Sequence, residues 1–71
     1  MNQINPRKLL LSKWTSIRPV NREKHFIVIE CQVDEQDEVV SVDLQAVLTQ
    51  RSQRLPWNAL QDADIWLPGW R

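Results

Sequence analysis

A chain of 71 residues is too short for two independent hydrophobic cores, so the sequence predicts one domain whose stability depends on very large side chains. The single cysteine excludes an internal disulfide, and the single histidine leaves too few ligands for a structural zinc site. The net charge of zero and the pI of about 6.5 are unlike those of strongly basic nucleic-acid-binding domains, and no apolar run approaches the ~18 residues that a membrane span needs.

The N-terminal residues 1–12 are predicted to form an arm with one short helical turn. Asn5 fits the N-cap of such a turn and Pro6 fits its first helical position. Because so short a helix is unstable alone, the leucines at 9–11 must dock on the rest of the domain. A first strand is predicted at residues 14–17, followed by a polar loop at 20–23.

Residues 25–33 give the strongest strand signal in the chain. The alternation places Ile27, Ile29, Cys31 and Val33 on one face, and Phe26, Val28, Glu30 and Gln32 on the other. A polar stretch at 34–37 predicts a hairpin loop, and apolar residues alternate again over 40–48. The two segments are therefore expected to pair as antiparallel strands.

The last third of the chain predicts shorter elements. Residues 54–57 fit an edge strand, where a proline is tolerated, and residues 57–60 fit one helical turn. Pro68 and Gly69 predict a turn in which the only glycine takes a positive φ, so that Trp70 folds back onto the domain.

These elements predict a mainly β fold. The expected architecture is an antiparallel meander of about four strands, with short helical turns near both ends, that can curl into a small SH3-like barrel. The N-terminal arm spans residues 1–12, the meander residues 13–60, and a tryptophan-containing C-terminal segment residues 61–71 of this single domain.

The charges are segregated along the chain. Residues 1–24 hold six basic residues and one acidic residue, whereas residues 25–50 hold six acidic residues and no lysine or arginine. Two arrangements are open: a basic surface facing away from an acidic one, or a basic arm that lies against the acidic hairpin and neutralises it.

Four tryptophans are available to build a small core. Each can bury ~150–250 Å², and tryptophan is also enriched at binding hot spots, so packing and ligand binding are both open roles. The tryptophans are Trp14, Trp57, Trp66 and Trp70.

The order of several landmarks resembles a family of short tryptophan-rich bacterial proteins without an assigned function, found in proteobacteria and cyanobacteria. The landmarks are Ser12-Lys13-Trp14-Thr15, Arg22-Glu23-Lys24-His25-Phe26, Pro56-Trp57 and Trp66-Leu67-Pro68-Gly69-Trp70. The resemblance implies a bacterial protein and no particular cofactor or catalytic residue. With no export signal and one unpaired cysteine, the chain is expected in the cytoplasm.

Few residues suggest chemistry. His25 and Cys31 are the one pair that resembles a nucleophile and its base, but six residues along one strand place them roughly 20 Å apart. The carboxylates at 34–38 lack the glycine and spacing of a calcium loop and indicate a solvated hairpin tip. Since Gly69 is the only glycine, no phosphate-binding loop is expected. The sequence predicts a protein that is not an enzyme and that holds no metal or cofactor.

The leading functional hypothesis is a small adaptor that binds a segment of an unidentified protein through a tryptophan-lined surface. The candidate surface comprises Trp14, Trp66, Trp70, Arg18, Arg54 and His25. No membrane partner is expected.

Two alternatives remain open. The first is a module for single-stranded RNA or DNA, with phosphates on Lys13, Arg18, Arg22 and Lys24 and a base stacked on Trp14 or His25. The second is a structural subunit of a homo-oligomer with the tryptophans at its interface.

Overall fold

The computed structural model describes residues 1–71 as a single antiparallel sheet with two short 3₁₀ helices. The strands are β1 (Lys13–Val20), β2 (Glu23–Val33), β3 (Val39–Ala46), β4 (Ser52–Pro56) and β5 (Trp66–Pro68), and the helices are η1 (Pro6–Lys8) and η2 (Trp57–Gln61). The mainly β, antiparallel prediction and the helical turns near both ends are confirmed. Neither helix has the length or hydrophobicity of a membrane-spanning helix.

The sheet is open, so the expectation of an SH3-like barrel is wrong. Its strand order is β4-β3-β2-β1-β5, which leaves β4 and β5 as unpaired edges. One face of the sheet is apolar, and the N-terminal arm and η2 cover it with Leu9 and Leu60. Because these segments form the second layer of the domain, the sheet buries its apolar face without closing on itself.

Two of the four tryptophans belong to the core. Trp14 is 4% exposed and Trp66 is 8% exposed, and the Trp66 ring meets the Phe26 ring edge to face at 5.2 Å between centroids. The buried apolar residues are Leu9, Trp14, Phe26, Val28, Val42, Leu44, Ala46, Leu60 and Trp66. Trp57 is half-buried against this cluster and Trp70 is 44% exposed, so packing accounts for most of the indole surface.

A bulge in β2 changes which residues face the core. Val28 lies opposite Leu44, but Glu30 lies opposite Asp43, so β2 holds one extra residue. Cys31 consequently lies opposite the buried Val42 and packs against the core. The predicted common face for Ile27, Ile29 and Cys31 is therefore wrong beyond the bulge.

Several predicted strand limits are also wrong. β2 begins at Glu23, inside the predicted loop at 20–23, and β4 runs from Ser52 to Pro56 instead of over 54–57. β1 continues through Pro19 to Val20, because the residue before a proline is extended and β5 does not reach this part of β1. β3 ends at Ala46, two residues before the predicted limit, because the Gln50 N–H donates to the Ala46 carbonyl and closes a turn. Leu48 lies in that turn and is 67% exposed.

The C-terminal segment contributes a fifth strand that the pattern did not predict. β5 has only three residues, and its pairing with β1 sets Trp66 opposite Ser16. The predicted turn follows, with Gly69 at φ 81°. Trp70 folds back as expected, and its Nε1–H donates to the Phe26 carbonyl at 2.8 Å.

The N-terminal arm matches its prediction in part. The Asn5 side chain caps η1 by accepting a hydrogen bond from the Arg7 N–H at 3.1 Å. Of the three leucines at 9–11, only Leu9 is buried. The arm is anchored by Leu9, by the partly buried Ile4, and by the Asn2 side-chain amide, which donates to the Leu60 and Trp66 carbonyls at 2.9 and 2.8 Å.

Candidate interaction surface

Two turns meet at one end of the sheet. The β1–β2 turn is formed by Asn21 and Arg22, and the β3–β4 turn by residues 47–51. The Val47 N–H donates to the His25 carbonyl at 2.9 Å, which joins the second turn to β2. We call the surface formed by these turns the basic end; its exposed basic and aliphatic residues are Arg18, Val20, Arg22, Lys24, Val47, Leu48 and Arg51.

A buried carboxylate holds the two turns together. The Glu23 side chain is 7% exposed and accepts hydrogen bonds from the Thr49 hydroxyl and from Arg51, whose Nε and terminal nitrogen lie 3.1 and 3.0 Å away. The hydrogen bond from Thr49, and then the hydrogen bond and charge of Arg51, lower the pKa of Glu23 below its ordinary value of 4.5. Glu23 is therefore ionised and fully engaged at neutral pH.

Replacing this carboxylate is expected to remove an acid-sensitive part of the stability. Because the folded-state pKa of Glu23 is lowered, its contribution is present above the ordinary value of 4.5 and is lost as the pH falls through the folded value. Glu23→Gln should be less stable than wild type at pH 7, and the difference should shrink at about pH 3. Urea denaturation at both pH values measures this, and a difference that stays constant with pH would contradict it.

A cleft of about 270 Å³ opens beside the basic end on the core face of the sheet. Phe26, Trp66, Val20 and Ser16 line it together with Gln53, Arg18 and the ion pair of Glu23 with Arg51. The cleft exists because Leu9 and Leu60 do not cover this end of the core face. It can take an apolar group beside the aromatic rings of Phe26 and Trp66, with Arg18 as its unpaired cation.

A second cleft, of about 360 Å³, opens on the outer face of the same end. Arg22, Lys24 and His25 line one part of it and the aliphatic Val47 and Leu48 line the other. The two clefts give the basic end cations and exposed aliphatic side chains on both faces of the sheet.

The half-exposed Trp70 lies next to His25 on the outer face. Their ring centroids are 6.1 Å apart, and the Lys13 ammonium stands 4.8 Å from the centre of the indole. The Thr15 hydroxyl donates to the Gly69 carbonyl at 2.6 Å and accepts from the Arg71 N–H at 3.0 Å. These contacts fix the C-terminal residues on the outer face and leave part of the indole in solvent.

The structure divides the residues selected from the sequence among several places. Trp66 and Arg18 both line the core-face cleft, whereas Trp70 and His25 lie next to each other on the outer face. Trp14 lies within the core and presents no surface. The remaining candidate, Arg54, donates from Nε to Asp43 at 2.8 Å on the outer face, and this hydrogen bond and charge lower the pKa of Asp43.

Sequence reasoning did not select the aliphatic residues of the basic end. Val20 was assigned to a loop and Leu48 to a strand, yet both are more than 65% exposed. The available signal was that each of these aliphatic residues lies close in sequence to cations, near the end of a strand. Periodicity alone favoured burial of Leu48. The turn that ends β3 is instead fixed by hydrogen bonds from the Ala46 and Val47 N–H groups to the carbonyls of Arg51 and His25, which the sequence pattern does not record.

The structure places part of the basic segment and the acidic loop at different ends of the sheet. The basic end lies at the start of β2, and the acidic loop at residues 34–38 follows the last residue of the same strand. The only two ion pairs are Glu23 with Arg51 and Asp43 with Arg54. Arg18, Arg22 and Lys24 therefore lie at the opposite end of β2 from the acidic loop at 34–38, and no ion pair joins the two groups.

His25 and Cys31 lie on opposite faces of the sheet. His25 is opposite Thr15 on the outer face, while Cys31 lies opposite Val42 on the core face. Burial, and then the charges of Asp43 and Glu30, raise the pKa of the Cys31 thiol. A neutral thiol against the core fits packing and is poorly suited to nucleophilic attack.

Comparison with known families places residues 12–71 in a described group. This segment, which includes all five strands and η2, matches the family described as tryptophan-rich protein (DUF2389). No match was found among curated proteins or among solved structures.

Proposed function

We propose that this chain, which belongs to the tryptophan-rich protein family DUF2389, is a non-enzymatic interaction module whose basic end binds an acidic, partly apolar segment of another protein. The observation that carries the proposal is the combination of unpaired cations and exposed aliphatic side chains around two clefts at one end of the sheet. Aromatic rings form part of the core-face cleft, which gives the tryptophan-rich core a second use.

The chemistry of the two clefts favours a protein segment as the ligand. Val20 and Leu48 are 68% and 67% exposed and would lose contact with water against apolar side chains of a partner. Arg18, Arg22 and Lys24 have no acidic partner within the chain, so they are free to pair with carboxylates. Complementary charge would steer the encounter, and the apolar contacts would hold the complex.

The backbone at Arg22 supports a role for its charge. Asn21 and Arg22 have φ values of 56° and 63°, as in a two-residue type I′ hairpin turn. Glycine is preferred at the second of these positions, and a side chain there costs about 1 kcal/mol. An arginine in this position lowers the free energy of unfolding and places a guanidinium at the tip of the basic end.

Arg22→Gly is accordingly expected to have opposite effects on stability and binding. Relief of the positive φ should raise the free energy of unfolding by about 1 kcal/mol. Loss of the charge should weaken binding of an acidic peptide severalfold. Urea denaturation and fluorescence anisotropy measure the two effects on the same preparation. A variant that is more stable than wild type but binds the peptide equally tightly would show that Arg22 is not part of the binding site.

A peptide titration tests the proposed function. The probe is a fluorescein-labelled peptide of alternating glutamate and leucine, with a lysine-for-glutamate peptide as the negative control. Arg18→Gln with Arg22→Gln should weaken binding about tenfold, because each exposed charge pair contributes up to ~1 kcal/mol. The matched control is Arg7→Gln with Lys8→Gln, which makes the same charge change on η1. Equal affinity of the two double variants, or equal binding of both peptides, would refute the proposal.

A second candidate is a single-stranded nucleic acid on the outer face. It is favoured by the half-exposed Trp70, which lies beside His25 and beneath the Lys13 ammonium, so that a base and a phosphate could be bound together. Binding of a deoxythymidine decamer through Lys13, Arg22 and Lys24, the cations nearest Trp70 and His25, would give a slope of roughly −2 in log K against log salt. No measurable binding of this decamer at low salt would exclude this candidate.

A further inference from the structure

The end of the sheet opposite the basic end carries the chemistry that the basic end is suited to bind. Its loop, residues 34–38, holds Asp34, Glu35, Asp37 and Glu38, and we call it the acidic tip. The adjacent Val33 and Val40 are about half exposed. The acidic tip is thus an acidic segment flanked by apolar side chains.

The acidic tip has a defined shape before any contact is made. The Asp34 carboxylate accepts hydrogen bonds from the N–H groups of Gln36 and Glu38 at 2.9 and 3.0 Å. The Asp34 N–H donates to the Glu38 carbonyl, which closes the loop. A loop held in this way loses little conformational freedom when it binds.

The chain cannot neutralise its own two ends. The molecule is 37 Å long, and the eleven residues of β2 separate the ends by roughly 30 Å. Charges this far apart are screened at physiological salt, where the Debye length is ~8 Å. Neither ion pair of the chain involves the acidic tip, so its carboxylates are available to a second molecule.

We infer that the acidic tip of one copy binds the basic end of a second copy, so that the chain associates head to tail. This inference rests on the proposed function, since it names one acidic, partly apolar segment that the basic end would take. Carboxylates of the tip would pair with Arg18 and Arg22, while Val33 and Val40 would contact Val20 and Leu48. The contact is heterologous, because each copy uses a different surface, and it leaves a free end on each pair.

Sedimentation velocity at two salt concentrations tests the association. At about 0.01 M salt, where the Debye length is ~30 Å, the wild type should show a mean mass above that of the monomer that rises with protein concentration. At about 1 M salt, where that length is ~3 Å, it should sediment as a monomer of 8.4 kDa. A monomer at every concentration and at both salt levels would overturn the inference.

Complementary variants distinguish head-to-tail contact from any other self-association. One variant carries Glu35→Gln and Asp37→Asn in the acidic tip, and the other carries Arg18→Gln and Arg22→Gln in the basic end. Each alone should be monomeric at low salt, but an equimolar mixture should form a discrete dimer of twice the chain mass, since one intact tip meets one intact basic end and the two remaining ends are disabled. If either variant by itself associated as strongly as wild type, or if the mixture stayed monomeric, head-to-tail contact would be contradicted.

The same variants separate this inference from the proposed function. The tip variant keeps the basic end and should bind the glutamate-leucine peptide with wild-type affinity. If it does so while the wild type stays monomeric, only the head-to-tail contact is refuted. If neither wild type nor tip variant binds the peptide, both proposals fail. Circular dichroism of each variant confirms that exposed substitutions have left the fold intact.

Discussion

Trp14→Ala is expected to lower the free energy of unfolding by about 3–5 kcal/mol, the range for removing a buried tryptophan. Trp14 is 4% exposed and lies on β1 between Phe26 of β2 and Pro68 of β5. Its Nε1–H donates to the Ser12 hydroxyl at 2.9 Å, so truncation also leaves that acceptor without its donor. A domain of this length has a total stability of roughly 4–11 kcal/mol, so the substitution should remove a large share of it.

The matched control for this experiment is Trp70→Ala. Its indole is 44% exposed and its main polar contact is one hydrogen bond to the Phe26 carbonyl, so its loss should cost about 1–2 kcal/mol. Urea denaturation followed by far-ultraviolet circular dichroism compares the two, because this signal does not depend on the number of tryptophans. Equal denaturation midpoints for the two variants would show that Trp14 does not anchor the core.

Leu60→Ala is expected to lower the free energy of unfolding by about 2–5 kcal/mol. Leu60 is completely buried in η2, which packs on β3. In an open sheet, the apolar face is buried only if a second layer covers it, so that layer is as necessary for stability as the sheet itself. Here that layer depends on Leu60 and Leu9, so truncating either exposes part of the core face to water.

Leu10→Ala provides the comparison for Leu60→Ala. Both changes remove the same atoms, but Leu10 is mostly exposed next to the buried Leu9. Its substitution should change stability by less than ~0.5 kcal/mol. If thermal or urea denaturation gave similar losses for the two variants, η2 would not be an essential covering layer.

The strand predictions that succeeded depend on alternation over many residues. Residues 25–33 and 40–48 alternate strongly, and β2 and β3 occupy most of these ranges. Where the alternation is interrupted by a bulge, as between Val28 and Glu30, the predicted faces are wrong because the extra residue reverses the side of every later side chain. A sequence pattern records alternation but not the register with a neighbouring strand.

The candidate site was only partly predictable. Arg18 and Trp66 were both selected and meet in the core-face cleft, although 48 positions separate them in sequence. Trp14 was selected for the same reason as Trp70, yet the first is buried and the second is half exposed. Residue type indicates which side chains can bind a ligand, and burial depends on which strands and covering segments surround each one.

The sequence by itself determined that the fold is antiparallel β, that η1 begins at Pro6, and that Gly69 turns the chain back. These features follow from local sterics and from hydrophobic periodicity, which need no distant contact. Only the tertiary structure decided that the sheet stays open, that residues 66–68 pair with β1, and that opposite charges lie at opposite ends of β2. Each of these features depends on contacts between residues far apart in the chain. The sheet stays open because Leu9 and Leu60 cover its apolar face, which would otherwise be buried by closure of the sheet on itself.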